Sequence, residues 1–529
     1  MHLSTAQIDR AAGAVLASAA ADALGSQYEF DSSIPDSQPV EFGVGTGGHG
    51  YGEWTDDTSM AVPVLQELAA GHDLRDEDAL GRVLAAWDQW SGGSPDVGVQ
   101  TKSILRGLRG QHTEAAARAA SKALHDRSGR SAGNGSLMRT GPLALGYLGD
   151  GEEAALAEAA GRLAQLTHWE QDNVDACVIW CLAIRHAVLN GELDLAGQLR
   201  HLEPSRRERW AELIEEASAP GRHPRDFEAQ NGWVVRAMQG AIAAFVGAES
   251  LVEILERAVR CGGDTDTVAA IAGSLAGAVH GTSEVPADWQ LVLHGWPGLR
   301  AADLVRMAVL AARKGADDGQ GWPSAGRMPG VVGQDFLGRH PHDEGVWLGS
   351  LSGLDRIAAD APDVDAVVSL CRIGAEQVPA GMPSVQVWMV DRDGANPNLD
   401  VALAGAVDAV AAPRAARSCC TARPGSLAPG RPPPSTPLGT AACRSSARGG
   451  SSKTRFPACS RRASSGRPSR ASPRGLRRHR PRSCSRGGRS RRRGSRPECQ
   501  GARRRRRSST STWTTRSSTS LSGSRASRR

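Results

Sequence analysis

The sequence predicts a large all-α domain, followed by a short α/β segment and an arginine-rich tail that does not fold. From residue 6 to about 320, apolar residues recur at three- and four-residue steps, the period of helices that bury one face. The alternating pattern of strands is nearly missing there. A chain of 529 residues has room for more than one domain, since a domain takes roughly 100–200 residues. We assign residues 1–325 to one helical domain.

The helical segments are separated by glycine, proline, aspartate and asparagine, which interrupt or cap helices. Their apolar residues are mostly alanine and leucine. Helices of this composition need tertiary packing of their apolar faces to be stable. We expect helices at residues 11–24, 60–70, 79–90, 152–166, 174–189, 234–246, 251–259, 268–279 and 301–312.

The character of the chain changes after residue 319, where glycine and proline become frequent. We interpret residues 326–345 as a linker. Strands that alternate with helices predict an α/β unit, which we place at residues 346–413. Its β-type runs are 346–351, 366–371 and 385–390, and its helical run is 399–411.

The charge is divided unequally along the chain. Residues 414–529 contain 32 of the 63 basic residues and one acid, Glu498, so their formal charge is +31, against −25 for residues 1–413. This tail has too few aliphatic residues to fold, and we expect it to be disordered. A genuine tail would bind nucleic acid through phosphate contacts. The alternative is a reading frame shift: one base upstream, the codons for residues 418–422 can encode Leu-Leu-His-Cys.

The cysteines and the N-terminus indicate a cytoplasmic protein. No basic run precedes the first apolar stretch, which Asp22 interrupts, so a signal peptide is not expected. No segment approaches the ~20 apolar residues of a membrane span. Cys177 and Cys181 lie in an apolar helical run without a second pair at zinc-site spacing, so we expect buried thiols. Cys371 lies in a β-type run, and we expect it in the core as well.

Two clusters of oxygen-bearing side chains are the strongest chemical signal. Residues 54–58 read Trp-Thr-Asp-Asp-Thr and residues 262–267 read Gly-Gly-Asp-Thr-Asp-Thr, each at the start of an apolar helix. Helix capping explains one such residue per helix, not several. Crowded carboxylates repel one another unless a cation compensates. Hard oxygen ligands suit Mg²⁺ or Mn²⁺ better than zinc.

Five sequence blocks follow one another along the chain. They are Ala-Asp-Ala-Leu-Gly at 21–25 leading to Glu29, Thr-Asp-Asp-Thr at 55–58, Gly-Asn-Gly-Ser-Leu-Met-Arg at 133–139, Thr-His at 167–168, and the segment that begins at 262. In this order they resemble the ADP-ribosylglycohydrolase family, which includes the dinitrogenase-reductase-activating glycohydrolases. The resemblance covers residues 8–315, and Ala21 replaces the usual glycine of the first block.

The resemblance implies an orthogonal helical bundle with a central binuclear Mg²⁺ site, in which Mn²⁺ is the alternative ion. It implies as metal ligands Thr55, Asp56, Asp57, Asp264, Asp266 and Thr267. Two ions roughly 3.5–4 Å apart can orient a diol and a water together. The expected substrate is ADP-ribose linked through C1″ of its distal ribose to a protein or a small acceptor.

The resemblance also implies catalytic and substrate-binding residues. Glu29 is the candidate that assists water attack or gates access to the metals, and Asp57 or Asp266 could equally polarise the water. Gly133, Gly135 and Ser136 would let backbone N–H groups approach the diphosphate. His168 is a candidate contact of the diphosphate or the ribose. For each, a purely structural role is the alternative.

Two other functions stay open from the sequence. The same oxygen-rich site could serve a metal-dependent phosphohydrolase, and a non-catalytic protein could bind ADP-ribose or nucleic acid. The residue that carries the ADP-ribose is not identified by the sequence.

Residues 346–413 resemble the first half of a dual-specificity protein phosphatase. Asp391 or Asp393 would be its general acid. That family needs a later nucleophilic cysteine in a loop closed by an arginine. The chain does not supply this loop in frame, so we expect no phosphatase activity. The shifted frame near residue 418 could encode it.

Overall fold

The computed structural model describes residues 2–330, 335–390 and 394–411. The fold of residues 2–320 is almost entirely helical. The helices are α1 Thr5–Gly25, α2 Asp56–Ala69, α3 Glu77–Ser91, α4 Val99–Leu108, α5 Glu114–Ser128, α6 Glu153–Gln165, α7 Gln171–Asn190, α8 Pro204–Ser218, α9 Val234–Ala243, α10 Leu251–Val259, α11 Thr265–His280, α12 Ala287–Val292, α13 Ala301–Ala312, α14 Ile357–Asp360 and α15 Leu399–Ala411. The strands are β1 His294–Gly295, β2 Leu299–Arg300, β3 Leu337–His340, β4 Asp343–Gly349, β5 Val367–Ser369 and β6 Ser384–Gln386.

Helices α1 and α11 form the centre of the domain and pack backbone to backbone. A Cβ atom added to Gly277 would overlap the carbonyl oxygen of Gly13, and one added to Gly273 would lie 2.5 Å from the oxygen of Ala17. The contact position on α1 moves from residue 13 to residue 17 while that on α11 moves from 277 back to 273, so the two helices are antiparallel. The C-terminal end of α1 therefore lies beside the start of α11.

Every expected helix is present, and several helices were not expected. Helices α10 and α13 have the bounds that the periodicity predicts, whereas α9 ends at Ala243, three residues early. The sequence analysis missed α4, α5, α8, α12 and α14. Helices α5 and α8 bury only a few residues each, such as Trp210 and Ile214 of α8, so their apolar pattern is too sparse to recognise.

In the described part of the C-terminal segment, four short strands form two pairs. Strands β3 and β4 are antiparallel, and β5 and β6 are parallel. Strand β3 lies within the stretch that we interpreted as a linker. Cys371 is exposed, so the expectation of a core thiol is wrong: β5 ends at Ser369 and the chain has turned before it reaches the cysteine.

The three cysteines of the helical domain, Cys177, Cys181 and Cys261, are buried and free, as expected for the first two. Over the described residues we find no helix with both the length and the apolarity needed to cross a bilayer. The arginine-rich tail lies outside the described residues, and so do Asp391 and Asp393.

Asp9 of α1 is a buried carboxylate outside the acidic clusters. Its two oxygens accept hydrogen bonds from the backbone N–H (3.1 Å) and the hydroxyl (2.7 Å) of Ser283. Burial raises the pKa of Asp9 to about 6 from an ordinary 3.8, and Glu284 adds to the rise. A raised carboxylate pKa favours folding at low pH, and this contribution is lost as the pH rises through 6.

We therefore expect Asp9→Asn to stabilise the protein at neutral pH. Between pH 4 and pH 7 the unfolding free energy of the variant should rise relative to that of the natural protein by about 2–3 kcal/mol, because each pKa unit corresponds to about 1.4 kcal/mol. Denaturant unfolding at both pH values measures this difference. Parallel pH profiles for the two proteins would contradict it.

Candidate metal centre

The end of α1, the residues just after it and the starts of α2 and α11 bring six acids together, which are Asp22, Glu29, Asp56, Asp57, Asp264 and Asp266. Asp22, Asp57 and Asp266 each place a carboxylate oxygen within 4.8 Å of the others, and so do Glu29, Asp264 and Asp266. Asp266 belongs to both groups, so the two clusters of the sequence form one site. Each helix start offers partial positive charge to the acids, but a helix dipole compensates only a fraction of a charge.

Asp22 fixes the first cluster in position. One of its oxygens accepts hydrogen bonds from the N–H (2.9 Å) and the hydroxyl (2.8 Å) of Thr55, and the other accepts from the N–H of Thr58 at 3.0 Å. The Thr55 hydroxyl also lies 3.2 Å from Asp57 Oδ2 and 3.3 Å from Asp266 Oδ2. The Thr55 hydroxyl has one proton and can donate it to only one of these carboxylates. The other two carboxylates therefore face the lone pairs of the hydroxyl oxygen.

The second cluster is positioned by two asparagines. Asn134 Nδ2 donates to Asp264 Oδ2 at 2.7 Å, and the backbone N–H of Asp264 donates to Asn231 Oδ1 at 3.2 Å. Asp266 Oδ1 accepts from the N–H of Thr267 at 2.9 Å. The Thr267 hydroxyl lies 3.4 Å from Asp57 Oδ2. The Gly133–Gly135 loop and α11 are thus linked through Asp264.

Among the described residues, no lysine, arginine or histidine forms an ion pair with the six acids. The Oδ1 atom of Asp57 is buried without a hydrogen-bond partner. Burial, and then the neighbouring carboxylates, raise the pKa values of Asp56, Asp57 and Asp266 well above their usual range. These donors fit hard divalent cations such as Mg²⁺.

Glu29 lies at the edge of the site, four residues after the end of α1. Its side chain is buried. Burial raises its pKa to about 8, and the charges of Asp96, Asp264 and Asp22 add to the rise. Asp96 is half-buried and precedes α4. A Cβ atom at Gly47 would lie 3.5 Å from the Asp96 Cβ atom, so the loop of residues 45–49 approaches the same edge.

The Gly133–Gly135 loop lies directly against His168. Cβ atoms at Gly133 and Gly135 would lie 3.3 Å and 3.2 Å from atoms of the imidazole ring, so larger residues would displace the loop. A hydrogen bond of 2.7 Å joins His168 Nδ1 to the Thr167 hydroxyl. Burial, and then the charge of Arg139, lower the pKa of His168 well below its usual value, so the ring is neutral.

Ser136 is directed away from solvent. Its hydroxyl accepts a hydrogen bond from Asn173 Nδ2 at 2.7 Å, and the same amide group donates to the carbonyl oxygen of Gly133 at 2.7 Å. The side chain of Ser136 therefore holds the loop in place, which leaves only its backbone for a ligand. The residues that the sequence analysis singled out for the site are near the acidic centre or in this loop, and His168 packs against the loop.

Sequence reasoning assigned no role to Asp22, Asn134, Asn231 or Asp96. Asp22 has a recognisable signal, because it is an acid within an otherwise apolar run of α1. Asn134 lies inside the Gly-Asn-Gly motif, where asparagine is also a common turn residue. Asn231 and Asp96 lie in loops, and only the three-dimensional structure brings them to the site.

The comparisons with known proteins agree on one family. The family model of ADP-ribosylglycohydrolase matches residues 3–318. The chain is 30% identical over 293 residues to ADP-ribosylarginine hydrolase Tri1 of Pseudomonas putida (strain GB-1), covering 53% of this chain and 73% of that protein. It is 30% identical over 296 residues to ADP-ribosyl-[dinitrogen reductase] glycohydrolase of Rhodospirillum rubrum, covering 53% and 89%.

One further relative and one solved structure are also similar to this chain. ADP-ribosylhydrolase ARH3 of Homo sapiens is 28% identical over 334 residues, with 54% of this chain and 88% of that protein covered. A solved structure titled "ADP-ribosylglycohydrolase-related protein complex" has 26% identity and a TM-score of 0.44, covering 59% of this chain and 99% of that one. Because the family model covers more than half of the chain, this protein belongs to the ADP-ribosylglycohydrolase family.

Proposed function

We propose that this protein is a Mg²⁺-dependent hydrolase that removes ADP-ribose from an arginine side chain. The observation that carries the proposal is the convergence of buried carboxylates from three helices, none of which forms an ion pair within the described ranges. Two Mg²⁺ ions would be held by the six residues Thr55, Asp56, Asp57, Asp264, Asp266 and Thr267. Asp22 positions Thr55 and Thr58 through both of its oxygens, so we assign it a supporting role.

When bound, Mg²⁺ would supply Lewis-acid polarisation of the ribose hydroxyls and a water molecule. The protein holds the reacting groups in place, excludes bulk water and accepts a proton. Glu29 lies beside Asp264 and Asp266, and in its ionised form it can take the proton of the attacking water while the C1″ bond breaks through an oxocarbenium-like state. Asp57 and Asp266 remain the alternative bases.

The arginine linkage is proposed from two findings. Two relatives at 30% identity carry names that specify ADP-ribosylarginine or ADP-ribosylated dinitrogen reductase. Glu29 and Asp96 place two acids at the edge of the site, where they would attract a cationic guanidinium. The Gly133–Gly135 backbone would approach the diphosphate of the same substrate, with His168 behind it.

Product analysis tests the proposal. The full-length protein is incubated with ADP-ribosylarginine and with an arginine-ADP-ribosylated protein, in Mg²⁺, in Mn²⁺ and in excess chelator. We expect free ADP-ribose in the presence of metal and none in chelator. Mg²⁺ should also raise the melting temperature, since a ligand that binds only the folded state stabilises it. Inorganic phosphate as the product would favour the phosphohydrolase alternative, and metal-independent release would contradict the proposed centre.

For the C-terminal segment we propose an incomplete phosphatase-like module. The motifs at residues 346–413 carry the proposal, and the parallel pairing of β5 with β6 is compatible with an α/β unit. Resequencing the gene around codons 411–418 tests the frame shift. A shifted frame that encodes a His-Cys…Arg loop would support it. If neither alternative frame contains such a loop, the arginine-rich tail is genuine, and salt-dependent nucleic-acid binding becomes its expected property.

A further inference from the structure

Three large apolar side chains are strongly exposed on the chain segments that flank the acidic site. Phe30 is 75% exposed, Val44 is 70% exposed and Val99 is 88% exposed. Within residues 2–330, Leu193 is the only other exposed large hydrophobic residue, at 42%. We call Phe30, Val44 and Val99 the apolar rim.

Phe30 is fixed by the loop that leads to the metal centre. Its backbone N–H donates to the carbonyl oxygen of Gly263 at 2.7 Å, and the N–H of Gly263 donates to the oxygen of Asp31 at 2.9 Å. Phe30 has a φ angle of 65°, which is unfavourable for a bulky residue. Backbone strain of this kind persists where the surroundings impose it, often at functional sites. The ring is thus held in solvent beside Glu29.

Val44 lies on the segment that covers the end of α1. Two residues further on, the N–H and the hydroxyl of Thr46 donate to the carbonyl oxygen of Ser26 at 3.1 Å and 2.8 Å. Ser26 follows Gly25, where an added Cβ atom would lie 2.6 Å from the Cα atom of Asp266. Val44 is therefore anchored to the backbone that flanks the metal centre.

Val99 lies on another side of the site, at the start of α4. Three residues before it is Asp96, which acts electrostatically on Glu29. Two residues after it is Thr101, whose hydroxyl would lie 3.9 Å from a Cβ atom at Gly135. The chain around Val99 thus links the acidic edge to the glycine loop. Each of the three rim residues lies within three residues of a group that contacts or acts on the acidic site or the backbone beside it.

We propose that the apolar rim docks a folded protein whose ADP-ribosylated arginine lies in an apolar surface patch. The inference rests on the proposed function and deepens it. The bond to C1″ must reach the carboxylates, so whatever carries the arginine comes close to the segments that bear the rim. The acids attract the guanidinium, and apolar neighbours of that arginine bury the rim side chains, which gain free energy on leaving water. A free ADP-ribosylarginine is too small to cover them.

The test compares three substrates with the full-length protein. Two are forms of one carrier protein with a single ADP-ribosylated arginine, flanked either by exposed leucines or by glutamates and lysines, and the third is ADP-ribosylarginine. We expect kcat/KM to be at least tenfold higher for the leucine-flanked form. The variant Phe30→Asn/Val44→Ser/Val99→Ser should lose that preference and cleave ADP-ribosylarginine at an unchanged rate. Asparagine tolerates the positive φ angle, so the variant should fold.

Leu193→Ser is the matched control, since it removes an exposed apolar side chain away from the rim, and it should change none of the three rates. Equal rates for the two carrier forms would overturn the inference while leaving the proposed function intact. An equal loss on all three substrates in the rim variant would also overturn it, because the rim would then contact ADP-ribose itself. Failure of the natural protein on every substrate would overturn the proposed function, and the inference with it.

Discussion

Asp266→Asn is expected to lower kcat by a factor on the order of 10³ or more, since even residues that only support metal ligands change activity 10–100-fold. Asp266 belongs to both groups of converging acids, so its loss affects the whole centre. Asparagine can still accept the hydrogen bond from the N–H of Thr267. The helices should remain in place, which circular dichroism checks.

The same substitution should not destabilise the metal-free protein. Removing one acid from a crowded buried group relieves repulsion, so the melting temperature in chelator should stay equal or rise. Asp175→Asn is the matched control. Asp175 is a buried acid that pairs with Arg206 at 2.7 Å and accepts from Trp210 at 2.8 Å. Asp175→Asn should lower the melting temperature and leave kcat unchanged. Full activity of Asp266→Asn would rule out the assigned centre.

Gly277→Ala is expected to destabilise the protein, because steric overlap should cost about 3 kcal/mol, the upper end of the usual range for overpacking. The higher helix propensity of alanine is not included in this figure. The added methyl group would overlap the carbonyl oxygen of Gly13, which is backbone and cannot rotate away. Alanine is the better helix former by only about 1 kcal/mol, so steric repulsion wins. Because the separation of α1 from α11 would also move Asp22 away from Asp266, we expect activity to fall in the molecules that still fold.

Gly107→Ala is expected to stabilise the protein, in contrast to Gly277→Ala. Gly107 lies in α4 and is exposed, with no atom within 4 Å of an added Cβ atom. There the helix preference acts alone, and the unfolding free energy should rise by roughly 0.5–1 kcal/mol. Denaturant unfolding measures both variants. If Gly277→Ala were as stable as the natural protein, the close packing of α1 on α11 would be refuted.

The sequence predicted the helices that bury broad apolar faces, because their period is visible in the chain. It did not predict α8, which buries Trp210, Ile214 and Ala217 and exposes much of the rest. It also misplaced Cys371, because β5 is shorter than the apolar run that suggested it. Apolar character shows what can be buried, but not where a strand stops.

The site was predictable to the extent that its residues are adjacent in the chain. Thr55, Asp56 and Asp57 stand together, and so do Asp264, Asp266 and Thr267, which made each cluster visible. Their convergence was suggested by the family resemblance and not by the local pattern. Asn231 and Asp96 could not be found this way, since nothing in their own neighbourhood distinguishes a loop residue that faces carboxylates from one that faces water.

The antiparallel packing of α1 on α11 has a consequence for biosynthesis. Translation produces Asp22 more than 240 residues before Asp266. During this interval the nascent α1 has left the ribosome, but α11, against which it packs, has not yet been synthesised. Contacts of such high sequence separation form late, and the exposed alanine-rich helix is a candidate ligand for chaperones during that interval. A metal ion that needs acids from both helices can bind only after release of α11 from the exit tunnel. Metal uptake would therefore report that α1 and α11 have packed together.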